Sequence, residues 1–240
     1  MGDDNEASYL FDKKIDCYVC ERTFITKQVR TGKARYIGTD DILKPLYSGI
    51  DCTKYDVIMC PHCGYAATQR TYGHMTAKQR NDIKEYIGSK FYVTWKEGET
   101  YSYDVAIRRC KMALLTEMIM CGKPGESAYI CLRLAWLYEG RIERMRQLGI
   151  PEDKIAVQQK CLDEYIADAY MGFKEALATQ YPPICGMDEM TINYLLASLA
   201  YKCGDESECR RFGAAILTSR IASSKIKDKA RTLMDLVKKD

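Results

Sequence analysis

The 240-residue chain has only two histidines, His62 and His74, so proton-shuttle and histidine-activated nucleophile schemes have almost no material to work with. Neither a G-x-x-x-x-G-K-[ST] loop nor a G-x-G-x-x-G turn occurs, which removes the usual backbone cradles for phosphate. Long apolar runs are missing too: the longest, MALLTEMIMC at 112–121, is broken by Thr116 and Glu117 and is too short to span a bilayer. No charge of one sign dominates, because a net +3 and a pI near 8.2 are too mild to argue for a nucleic-acid partner. The acidic start MGDDNEASYL lacks the basic n-region of a secretory signal, and Glu6 stands where a myristoylation site carries Ser or Thr. Asp3-Asp4 and Asp40-Asp41 are adjacent rather than spaced to face one another, and read as a solvated tail and turn. These absences lead to the expectation of a cytoplasmic protein without catalytic activity and without membrane association.

Cysteine, by contrast, is plentiful. In a reducing compartment twelve cysteines are metal ligands, reactive thiols or small buried hydrophobes rather than a disulfide framework. Cys17, Cys20, Cys52, Cys60 and Cys63 cluster near the start. Cys110, Cys121, Cys131, Cys161, Cys185, Cys203 and Cys209 are scattered singly, mostly inside apolar helical stretches, and read as packing residues; burial and inertness are expected of Cys110, Cys131, Cys161 and Cys209. The first group holds two C-x-x-C pairs, in DCYVC (16–20) and MCPHCG (59–64). Each pair suits a tight knuckle whose amides face the sulfurs, and four thiolates satisfy the tetrahedral preference of zinc. Pro61 stiffens the second knuckle, Gly64 permits the positive φ that follows it, and Phe24 is placed to cover the site. A thioredoxin-like redox pair competes with this reading, but it needs a βαβ context and leaves the second pair unexplained. The predicted ligands are therefore Cys17, Cys20, Cys60 and Cys63 around one structural Zn2+. His62, turned outward at a knuckle tip, and Cys52 are expected not to bind it.

Composition changes near residue 75. Before it lie β-formers, glycines and turn signals: TFITKQVRTGKARYIGTD looks like two extended runs about Thr31-Gly32, and YDVIMC at 55–60 is a short apolar strand. After it the period becomes helical, with helices expected near 77–87, 100–121, 126–147, 152–180, 188–203, 206–219 and 224–238. Residues 91–99 read as a connector packed through Phe91 and Trp95. Ala106-Cys110-Ala113, Ala169-Phe173-Ala176 and Cys209-Gly213-Ile216 share a small-residue spacing, and Leu134, Ala135 and Tyr138 resemble the first helix of a tetratricopeptide repeat. The fold class predicted is α+β, mostly α: a four-cysteine zinc-ribbon-like β module over 1–75, then an α-helical array of tetratricopeptide-like helix hairpins over 76–240.

The stretch from Cys17 to Ala67 resembles the bacterial family catalogued as domain of unknown function 2225. The resemblance rests on C-x-x-C followed by F-x-T-x-x-V-R-T (24–31), on Gly49 to Tyr55, and most specifically on CPHCGYAA (60–67). It implies the same fold and metal, with those four cysteines as ligands, and no established activity.

The function expected is therefore a protein-interaction module, a zinc ribbon joined to a helical groove for a protein or peptide. In such arrays the first helix of each pair lines the groove, which nominates Tyr129, Arg133 and Trp136 on one helix and Asn193, Tyr194 and Tyr201 on another. Two alternatives stand beside it. Arg22, Lys27, Arg30, Lys33 and Arg35, interleaved with Phe24 and Tyr36, could touch nucleic acid, although a four-thiolate zinc site with its excess negative charge also attracts such residues. A thiol or zinc redox sensor using Cys52 or an exposed helix cysteine is the other.

Overall fold

The structure, a computed structural model, describes residues 6–237; Asp3, Asp4 and the last expected helical residue, Lys238, lie outside them. Among these residues six short strands precede seven α-helices, so the α+β, mostly α class holds. Strands β1 (Leu10–Asp16) and β2 (Thr23–Val29) form an antiparallel hairpin with Leu10 opposite Val29 and Asp16 opposite Thr23. Strands β3 (Arg35–Thr39) and β4 (Pro45–Ser48) are neighbours, and β5 (Val57–Met59) pairs antiparallel with β6 (Ala66–Thr68). The two extended runs about Gly32 are indeed strands, but they do not pair with each other. LFDKKID at 10–16 offers β2 a seven-residue partner closed by one tight turn, a better ladder than the shorter β3 provides.

Helices follow at α1 (Ala77–Ile83), α2 (Tyr103–Ile119), α3 (Pro124–Gln147), α4 (Glu152–Thr179), α5 (Glu189–Lys202), α6 (Glu206–Thr218) and α7 (Ser224–Val237). Their starts are chemically marked. Thr76 and Gln79 make a reciprocal capping box, and Ser102, Asp188 and Asp205 accept backbone amides of their own first turns. α1 runs on into a π turn at Lys84–Gly88, and residues 91–99 carry no regular element.

The chain forms two compact units: residues up to Gly38 with Pro45–Gly122 and Trp136–Gln159, and Thr39–Lys44 with Lys123–Ala135 and the residues from Lys160 onward. They are not divided at residue 75. In the first unit α2 packs on β5 and β6, and the Thr116 hydroxyl that interrupts its apolar run accepts the Ala66 amide at 3.4 Å. Inside the second unit α5, α6 and α7 pack on one another, and a Cβ on Gly172 of α4 would come within 2.8 Å of the Ala128 Cβ on α3. Asp40-Asp41 is not a solvated turn there. The Asp41 carbonyl accepts from Tyr194 Oη (2.9 Å) and Ser198 Oγ (2.8 Å), its carboxylate meets Lys202 at 2.8 Å, and Lys229 donates to the Asp40 carbonyl at 2.7 Å.

Cys110, Cys131 and Cys209 are buried as expected, whereas Cys161 is half-buried and Cys121 and Cys203 are exposed. Burial pushes the Cys131 thiol up to about 12 and the Cys209 thiol up to about 11. Maleimide treatment of the native protein, read by peptide mass spectrometry, should mark Cys121 and Cys203 first and leave Cys110, Cys131 and Cys209 unmarked until denaturant is added. Rapid native labelling of those three would contradict their packing role.

Candidate metal centre

Both C-x-x-C pairs sit in loops that close an antiparallel strand pair, and the two loops are built alike. In the first, the Cys17 amide donates to the Arg22 carbonyl (3.0 Å) and the Glu21 amide donates to the Cys17 carbonyl (2.9 Å). In the second, the Cys60 amide donates to the Tyr65 carbonyl (2.8 Å) and the Gly64 amide to the Cys60 carbonyl (3.0 Å). The residue after the second cysteine is left-handed in each: φ is +62° at Glu21 and +74° at Gly64. Amides of Val19 and Cys20 point at Cys17 Sγ from 3.4 and 3.5 Å.

The loops bring Cys17, Cys20, Cys60 and Cys63 together, with all four sulfurs within 4.8 Å of one another. Cys17 and Cys63 lie 3.6 Å apart, as do Cys20 and Cys60. A tetrahedron with metal–sulfur bonds of about 2.3 Å has edges of about 3.8 Å, so this donor set fits a zinc-sized ion with little adjustment. Electrostatics agrees. Hydrogen bonds from Cys60, then Cys63, hold Cys17 down to about 2, while the same bond to Cys17 pushes Cys60 up to about 12, and Cys17 and Cys60 push Cys63 higher still. A thiolate at Cys17 thus opposes ionisation of Cys60 and Cys63 beside it, and four thiolates at this spacing need a cation between them.

An apolar shell surrounds the sulfurs. Val19, Phe24, Ile58, Tyr65 and Ala67 come from the strands and their loops, Ile83 from α1 and Ile87 from its π turn, with Met112 and Ile119 of α2 against them. Phe24 thus covers the site as the sequence suggests. The contribution of α1 and α2 could not be read from local spacing, because it depends on how the chain returns past residue 75. His62 is exposed at its knuckle tip, and Cys52 belongs to a different cluster with Leu10, Ile50 and Tyr55.

The two left-handed positions make opposite predictions. A Cβ on Gly64 would be strained at its φ and would run into the Phe91 ring, so Gly64→Ala should cost about 2 kcal/mol or more. Glu21 already bears that strain and has only an exposed ion pair with Arg80 (3.3 Å) to lose, so Glu21→Gly should leave stability unchanged or raise it by up to about 1 kcal/mol. Urea titration of the metal-loaded protein checks both signs, and equal losses at the two sites would refute the matched-knuckle description.

The nominated partner residues are not brought together on an open face. Trp136, Asn193 and Tyr194 are buried, and Tyr129, Arg133 and Tyr201 are half-buried. Arg133 does not project into solvent: its guanidinium lies 4.5 Å over the Tyr129 ring, Nη2 donates to Tyr129 Oη at 3.1 Å, and burial brings its pKa down to about 10. The physical reason is that α5 is buried without a break from Ile192 to Ala200 and α3 almost so from Ala128 to Tyr138; helices apolar all round have no solvent stripe. Nor is the basic run uncommitted. Lys27 pairs with Asp12 at 3.1 Å, Arg30 lies over Phe11, and Lys33 donates to the Ser8 carbonyl at 2.8 Å.

A family model described as an uncharacterized protein conserved in bacteria (DUF2225) matches residues 10–237. No curated protein and no solved structure matches the chain.

Proposed function

This chain belongs to the bacterial DUF2225 family, and we propose that it is a zinc-dependent, non-catalytic module for binding another protein. The observation that carries the reading is the convergence of four cysteine sulfurs within 4.8 Å from two matching knuckles. Cys17, Cys20, Cys60 and Cys63 would hold the ion. Bound there, zinc would offset half of the thiolate charge and cross-link the β1–β2 and β5–β6 loops. Four protein ligands fill the tetrahedron, which leaves no position for a reacting water. Cys17, Cys60 and Cys63 are at most 6% exposed and Cys20 is half-buried, as suits a centre that is structural. No described helix is long and apolar enough to cross a membrane, and a cytoplasmic setting, where thiols stay reduced, goes with the reading. The tetratricopeptide-like pattern of the helices belongs with it as well, although the burial of Trp136 and half-burial of Tyr129 and Arg133 leave that stripe little surface to offer a partner.

Elemental analysis of the purified full chain tests the proposal. One zinc per chain, retained through dialysis against a weak chelator and lost only slowly to a strong one, is the expected result. Substoichiometric metal in freshly purified, reduced protein would overturn it.

A further inference from the structure

The β1–β2 hairpin has one committed edge and one open edge. The outer side of β2 is engaged: the Lys27 amide donates to Tyr101 Oη (3.2 Å), and the Thr26 hydroxyl accepts from Arg109 Nη2 (2.9 Å). Among the described residues β1 has β2 as its single strand neighbour. The Arg30 amide donates to the Tyr9 carbonyl at one end of the ladder and the Cys17 amide to the Arg22 carbonyl at the other. That register turns the odd-numbered residues of β1 toward β2 and points the amides and carbonyls of Asp12, Lys14 and Asp16 away from it. Unpaired edges of this kind template a further strand.

Beside this edge lies a cleft of about 790 Å³, within the range of sites that enclose a ligand or a few residues of peptide. Lys13, Lys14 and Ile15 of β1 form one wall; Ile58, Tyr72 and Arg80 belong to the other. The first metal knuckle also borders it through Cys17 and Tyr18. Its two carboxylates are already engaged, Asp16 by the Thr23 hydroxyl and Glu21 by Arg80. Lys13 and Lys14 are exposed, and among the described residues neither is ion-paired. The far wall holds two buried donors without acceptors, Tyr72 Oη and Arg80 Nε.

We propose that the open edge of β1 and its cleft are a strand-addition site for an extended, acidic peptide segment of a partner protein. Main-chain bonds to Asp12, Lys14 and Asp16 hold the segment. Its apolar side chains, at alternate positions, enter the cleft against Ile15 and Ile58, and the acidic ones between them pass Lys14, with the exposed Lys13 adding to the positive charge along the edge. The two lysines act in both directions, since they oppose pairing of one β1 with another β1 and attract a strand of opposite charge. This inference rests on the proposed function, because the metal knuckle fixes one end of β1 and one border of the cleft.

The test uses the zinc-loaded full chain and a fluorescein-labelled peptide of alternating glutamate and valine, read by anisotropy. Two N-methylated forms, one methylated at every glutamate and one at every valine, separate backbone pairing from charge. The expected result is binding of the parent peptide, loss with one methylated form and retention with the other. The double variant Lys13→Glu, Lys14→Glu should weaken binding about tenfold or more and invert the preference toward a lysine–valine peptide. Absence of binding, equal binding of both methylated forms, or no effect of the charge reversal would overturn the proposal. So would tighter, lysine-dependent binding of oligothymidylate, which would make the cleft a nucleic-acid site. Zinc content measured on the same samples keeps the two readings apart: metal present without peptide binding defeats this inference alone, and metal absent defeats the module itself.

Discussion

Replacing Cys60 with serine is expected to release the metal and unfold more than the strands. Metal binding in small thiolate modules supplies on the order of 10 kcal/mol of folding free energy, comparable to the entire surplus stability of a single domain. Cys60 is fully buried, and the shell that encloses it includes Ile83, Ile87, Met112 and Ile119. Loss of the centre therefore exposes the inner faces of α1 and α2 together with β1, β2, β5 and β6. Hydrogen exchange read peptide by peptide should show protection lost from residues 10–120 and kept in α5, α6 and α7, whose packing is with one another. Exchange confined to the two knuckles, with α1 and α2 still protected, would show that the apolar shell holds without its ion. Chelation of the wild-type protein should reproduce the pattern of the variant.

Arg109→Ala is expected to be the most damaging change away from the sulfurs. The side chain is 2% exposed, on α2, and it is a hub. Its Nε and Nη2 donate to the Val57 carbonyl (3.3 and 3.1 Å), Nη2 also to Thr26 Oγ1 (2.9 Å), and Nη1 meets Glu97 Oε1 at 2.6 Å. The guanidinium also lies 4.5 Å over the Tyr101 ring. Truncation leaves the buried Val57 carbonyl without its donor and empties the space of a large buried side chain, while the exposed Glu97 is rehydrated, a loss of about 3 kcal/mol. Lysine should rescue little, because one ammonium cannot serve Val57, Thr26 and Glu97 from a single position. Urea midpoints of both variants check this; a loss below about 1 kcal/mol for alanine would mean that water replaces the network.

Spacing made the centre legible, because a C-x-x-C knuckle is a local object. CPHCG carries its own turn chemistry in Gly64, and two such knuckles have few uses for four sulfurs other than sharing an ion. Helix positions were equally readable, since Thr76, Ser102, Asp188 and Asp205 cap within their own first turns and Gly149 and Gly204 take the left-handed φ that follows a helix end. Partnerships distant in sequence were not. The pairing of β2 with β1 rather than β3, the closure of the metal shell by α1 and α2, and the hub at Arg109 all depend on how the chain returns. The exposure expected of the Tyr129–Arg133–Trp136 stripe was misjudged for a related reason: residues spaced four and three apart share a helix face, but spacing does not say whether that face meets water. On α3 the apolar residues continue all round, a signal present in ICLRLAWLY that outweighs the polarity of Arg133.

X-ray absorption at the zinc edge of the purified full chain tests the metal centre most directly. The account predicts one zinc per chain with a first shell of four sulfurs at about 2.3 Å and no lighter scatterer. A shell containing nitrogen or oxygen, or a spectrum of aqueous zinc, would contradict it.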